Sequence, residues 1–130
     1  MYMENKEINE IETALTLDND TPITLASYLT KLAGWNSFYT ESLKDIQLIK
    51  PQKWLEIQNW ENISESGLGQ TKREKPLSDK KTEMMWATTP EGQKELELTF
   101  TLKRIDILYR SINKRLSAIE NDFRMSKSQI

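Results

Sequence analysis

Five cations fall within ten residues, at Lys72, Arg73, Lys75, Lys80 and Lys81. Lys50, Lys53 and Trp54 precede them, and Trp60 stands between the two groups. Cations that track phosphates, beside rings able to stack on bases, are the components of sequence-independent single-strand binding. The same residues also suit a solvated basic loop after a helix, because Trp54 and Trp60 sit at helical spacing, where aromatics usually pack. Both readings stay open on the residues alone.

Catalytic chemistry has little to work with. The chain has no His and no Cys. That removes the usual general base, the commonest zinc ligand and the thiolate nucleophile. Glu95 and Glu97 lie on diverging faces of a helix and suit solvated surface. Ser78 near Lys81 fits a helix cap better than a nucleophile with its base. Gly67-Leu68-Gly69 lacks the Lys-Ser/Thr of a phosphate loop. No clustered carboxylate pattern calls for a metal, and no cofactor is implied. The expectation is a non-enzymatic protein.

Charge is unevenly spread behind a net value of -2. Residues 1–20 hold six acids (Glu4, Glu7, Glu10, Glu12, Asp18 and Asp20) against Lys6. Residues 103–130 hold seven bases (Lys103, Arg104, Arg110, Lys114, Arg115, Arg124 and Lys127) against Asp106, Glu120 and Asp122. An acidic protein with this distribution can present electropositive surface locally, and its acidic N-terminal segment can meet a basic partner or compete for the basic patch. Missing cysteines fit a cytosolic setting. The polar start, Met1 to Glu12, is not a signal peptide, and no apolar run reaches the ~20 residues of a membrane span.

The elements that position these residues are helical. Gly and Pro number four each, too few for a turn-rich β fold. Mean hydropathy of -0.67 and 29% charged residues suit a narrow helical core. A first helix is expected over Met1 to Leu17, with Ile8, Ile11 and Leu15 on one face. Thr21 can cap a long second helix that begins at Pro22. It carries Leu25, Tyr28, Leu29, Leu32, Trp35, Tyr39, Leu43, Ile46 and Ile49 at three-and-four spacing. Pro51 should kink or interrupt it before it resumes through Trp54, Leu55, Ile57 and Trp60. Residues 61–77 lack periodicity and form a flexible basic loop. Ser78 caps a short helix from Asp79 to Thr88, and Thr89-Pro90 restarts a long one.

That last helix carries the strongest pattern in the chain. Leu98, Leu102, Ile105, Tyr109, Ile112, Leu116, Ile119 and Phe123 alternate steps of four and three. The spacing is that of a coiled-coil seam. From Pro90 to Phe123 the helix spans roughly 50 Å at ~1.5 Å per residue. So long a stripe needs another long helix, the chain's own or a neighbour's, and self-association through it is expected. The expectation is one all-α domain over 1–130, with two long amphipathic helices and one or two short ones. Lys103, Arg110 and Lys114 flank the stripe, where coiled coils place charges for pairing.

From Ser78-Asp79-Lys80-Lys81-Thr82-Glu83-Met84, through the Thr88 to Gly92 break and the long amphipathic helix to Ala118-Ile119, the chain resembles the UvsY-type recombination mediators of tailed phages. The general plan is similar too: a long helix from about Leu25, a basic joint, a short polar helix and a long C-terminal one. The resemblance implies a non-enzymatic accessory protein of DNA recombination and repair, working in the host cytoplasm. Such mediators bind single-stranded DNA, assemble into rings, and help load a recombinase onto DNA covered by single-strand-binding protein. By the same resemblance, Lys50 and Lys53 stand closest to the family's DNA-contacting positions, with Lys72, Arg73 and Lys75 beside them. The chain departs from the family there, since Pro51 falls among more dispersed cations. The rival expectation is a helical oligomeric adaptor or phage assembly protein that binds no nucleic acid.

Overall fold

The computed structural model describes residues 4–17, 20–61 and 71–128, with the side chains of Lys127 and Ser128 left out. The fold is all-α. Its elements are α1 (Lys6–Thr16), α2 (Pro22–Asn59), β1 (Trp60–Glu61), β2 (Thr71–Lys72), α3 (Asp79–Thr88) and α4 (Pro90–Ser128). No helix among the described residues is long and apolar enough to cross a membrane. The chain groups into two compact units. Met1–Thr40 with Phe100–Ile130 makes one, and Glu41–Thr99 makes the other.

In the first unit α1 is set by Asn5. Its Oδ1 accepts from the Ile8 amide at 3.1 Å, which caps the helix, and its Nδ2 donates to the Tyr39 hydroxyl at 2.9 Å. The cap thus also ties α1 to α2. Ile8, Ile11 and Leu15 are buried together with Leu25, Leu32 and Tyr39 of α2 and Ile105, Leu108 and Ile112 of α4. Full burial of one such side chain stabilises by about 1.5–3 kcal/mol. Two arginines of α4 fasten α1 from outside this core. Arg104 Nε donates to Glu12 at 2.7 Å and its Nη2 to Asn9 at 2.6 Å. Arg115 donates to the Leu15 carbonyl at 2.5 Å and pairs with Asp20. Contacts that rise together along both helices mean that α1 and α4 run parallel. Arg115 also places a cation at the C-terminal end of α1, where the helix dipole favours one. Part of the acidic segment 1–20 therefore meets cations of its own chain.

This packing takes up part of the expected seam within the chain. Leu98, Ile105 and Ile112 are buried within the single chain, so they are core residues and not surface offered to another subunit. Leu102, Leu116 and Ile119 are half-buried, while Tyr109 and Phe123 are exposed. Leu108 takes the core position beside Ile105 and Ile112 that the heptad spacing assigned to Tyr109. The stripe finds its cover in α1 and α2, which the spacing alone does not specify.

In the second unit α2 continues through Pro51 to Asn59. Proline lacks the N–H that would reach the Gln47 carbonyl, but both residues are exposed, and water can satisfy that oxygen. The expected loop 61–77 is ordered in its described part. Residues 62–70 lie outside the described residues, but Thr71–Lys72 pairs antiparallel with Trp60–Glu61. The Arg73 amide donates to the Asn59 carbonyl at 2.7 Å and the Leu77 amide to the Gln58 carbonyl at 3.0 Å. Gln58 Nε2 returns a bond to the Leu77 carbonyl at 3.0 Å. The C-terminal end of α2 has unused carbonyls, and the returning strand satisfies them.

Ser78 caps α3, accepting from the Lys81 amide at 3.3 Å. Thr89 closes α3 and opens α4. Its hydroxyl donates to the Trp86 carbonyl at 2.6 Å and accepts from the Gly92 amide at 3.0 Å. The two helices meet so closely that a Cβ on Gly92 would lie 1.9 Å from the Trp86 carbonyl oxygen. Glycine is required here by the approach of a backbone and not by its own conformation.

Gly92→Ala should therefore lower stability by about 1–3 kcal/mol, as overpacking does, and thermal unfolding measures it. Ile112→Asp should unfold the first unit, with a loss on the order of 4 kcal/mol, because it buries a charge where exposure is 0%. Far-UV circular dichroism should show helix loss, whereas dispersal of an oligomer with helicity intact would return Ile112 to a subunit seam.

Candidate nucleic-acid interface

The seven cations that the sequence singles out separate into two kinds. Lys50, Lys53 and Arg73 are engaged. Lys50 Nζ donates to Glu95 Oε1 at 3.0 Å and stands 5.4 Å from the ring centroid of Trp86 and 5.9 Å from that of Trp54. Both distances lie within the ~6 Å reach of a cation–π contact. Trp86, 3% exposed, donates its indole N–H to the same Glu95 oxygen at 3.3 Å. Lys53 pairs with Glu91 one turn away. On α2 the partners advance from 50 to 53 while on α4 they retreat from 95 to 91, so the two segments run antiparallel within this unit. Glu95, expected on solvated surface, is an ion-pair partner instead.

The Lys53 ammonium, hydrogen-bonded to Glu91, holds that carboxyl below its ordinary value of 4.5. The Glu91 backbone amide adds to the lowering, and burial opposes it. A depressed carboxylate pKa contributes stability above the unfolded value, and that contribution is lost as pH falls through the folded one.

Arg73 is the third engaged cation. Its Nε donates to the Ile57 carbonyl at 3.2 Å, near the C-terminal end of α2, and its Nη1 lies 3.6 Å from Glu61. The ladder explains why. Trp60 opposes Lys72, and Glu61 opposes Thr71. Side chains alternate along a strand, so Arg73 shares a face with Thr71 and Glu61, while Lys72 shares the other with Trp60. Arg73 therefore staples the hairpin to the helix.

Lys72, Lys75, Lys80 and Lys81 are exposed, and their ammonium groups have no partner among the described residues. Lys80 and Lys81 stand in the first turn of α3, where the dipole disfavours cations and only Asp79 offsets them. Asp79 itself accepts from Gln58 Nε2 at 3.1 Å. The sequence did not single out Glu91, Glu95 or Trp86 as partners. Their signal was the matched opposite-charge spacing on two helices, legible only once those helices are known neighbours. Compared with known protein families, curated proteins and solved structures, the chain matches none.

Glu91→Gln should leave a protein less stable at neutral pH but less sensitive to acid below about 4.5, the ordinary value of this carboxyl. Urea midpoints measured across that range check it. An acid limb identical to that of the wild type would remove the Lys53–Glu91 pair from the account.

Proposed function

We propose that the chain is a non-enzymatic, single-strand-binding accessory protein of DNA recombination that helps a recombinase onto DNA covered by single-strand-binding protein. The observation that carries the DNA-binding part is the exposure of Lys72, Lys75, Lys80 and Lys81 without internal partners among the described residues. Internal ion pairs absorb Lys50, Lys53 and Arg73, so the surviving patch is smaller than composition suggests. These four ammonium groups, unpaired among the described residues, lie in a ten-residue stretch that also holds Glu74 and Asp79 and is still net positive on a chain of net charge -2. The recombination part follows from the resemblance to UvsY-type mediators. Such a role requires no catalytic side chain, in keeping with the absent His and Cys.

A patch this small binds weakly by itself, and repeating it in an assembly multiplies its hold on a long polyanion. Self-association belongs to the proposal, with the half-buried Leu102, Leu116 and Ile119 and the exposed Tyr109 and Phe123 as the stripe residues still accessible. The adaptor reading has its own observation. Phe100 and Ile107 are exposed on α4, seven residues apart and opposite the face that holds Ile105 and Ile112. Apolar side chains placed there suit a protein partner.

Anisotropy of a labelled single-stranded oligonucleotide, titrated at several salt concentrations, tests the proposal. Four phosphate contacts give a slope of log K on log salt of roughly -3, and each Lys→Ala change among the four should make it shallower by about 0.7. Lys50→Ala should leave the slope unchanged. No binding at low salt would leave the adaptor reading in its place.

A further inference from the structure

The four tryptophans are used differently. Trp86 is buried and donates to Glu95, and Trp54 is half-buried beside the Lys50 ammonium. Trp35 stacks on Tyr39 with centroids 5.7 Å apart and meets Phe38 edge-on at 5.8 Å. Trp60 is the exposed one, at 37%, and its ring has neither an aromatic nor a cationic partner among the described residues. It begins β1, and the ladder register sets it opposite Lys72. Opposed residues of an antiparallel pair project to one face with Cβ atoms about 4.5–5.5 Å apart. An indole and an ammonium, both without internal partners among the described residues, therefore stand side by side on one face of a paired backbone. That backbone is fastened behind by Arg73 to the end of α2.

We propose that Trp60 is a base-stacking platform, with one unpaired base against the indole while Lys72 holds a neighbouring phosphate. The inference rests on the reading of the lysines as phosphate contacts and adds what selects the strand. Bases inside a duplex stack on one another and offer no face to an indole, whereas an unpaired base does. The lysines alone would not discriminate, because a duplex carries the same phosphates. Ring and cation have separate tasks: Lys72 sets the salt dependence, and Trp60 sets the preference for bases.

The test compares oligo(dT) with an abasic strand of the same length, which keeps the phosphates and removes the bases. Wild-type protein should bind oligo(dT) more tightly than the abasic strand. Trp60→Ala should lose about 5- to 150-fold on oligo(dT) and change little on the abasic strand. Trp60→Phe should fall between wild type and Trp60→Ala on oligo(dT), with circular dichroism unchanged in both variants. If wild type does not distinguish the strands, or if Trp60→Ala binds oligo(dT) as wild type does, stacking fails and the lysine reading stands. Equal losses on both strands in both variants would also overturn stacking, since the ring would then only support the hairpin. Failure of wild type to bind either strand would overturn the phosphate reading itself.

Discussion

Apolar faces on three helices must cover one another in the first unit, and α1 is the piece that makes this possible. Ile8, Ile11 and Leu15 supply a third wall beside α2 and α4, and Ile105, Leu108 and Ile112 are buried with them. Without that wall the α4 stripe would need a second chain. The tie is directional as well as hydrophobic. Asn5 bolts one end of α1 to Tyr39, and Arg104 and Arg115 reach from α4 to its middle and its C-terminal end. Hydrophobic burial supplies most of the stabilisation, and the polar contacts choose one register among the sliding alternatives that a smooth apolar stripe permits.

Charge has an organising role in the second unit. Lys50 and Lys53 face Glu95 and Glu91 across antiparallel segments, and Trp54 and Trp86 flank Lys50. A partly buried cation needs such surroundings, because leaving it unpaired would be costly. The same pairing engages two of the lysines within the chain. Strand parity then separates Arg73 from Lys72, turning one to the helix end and the other to the face of Trp60. What remain are four exposed lysines, with one exposed indole opposite one of them.

Much of the helical scheme is legible in the chain itself. Thr21-Pro22, Ser78-Asp79 and Thr89-Pro90 start helices because a hydroxyl can take an unused amide and proline has none to waste. The apolar face of α1 followed from three-and-four spacing, and so did that of α4 except where Leu108 takes the place given to Tyr109. Other features were hidden for identifiable reasons. Pro51 signals a break, yet α2 continues, because only its tertiary surroundings decide whether a lost backbone bond ends a helix. A ladder of two residues per strand is too short to show a period of two, so Thr71 and Lys72 looked irregular. Gly92 looked like part of a break, while its reason is the Trp86 carbonyl against its Cα.

By itself the sequence determined that the chain is helical, where α2, α3 and α4 begin, and that His and Cys chemistry is absent. These depend on neighbours within a few positions or on composition, and both are written along the chain. Only the tertiary structure decided which apolar residues cover one another, which cations are matched by carboxylates, and which tryptophan is exposed. Many of those outcomes depend on residues 34 to 100 positions apart, such as Asn5 with Tyr39 or Arg115 with Leu15, and no local pattern encodes such a meeting.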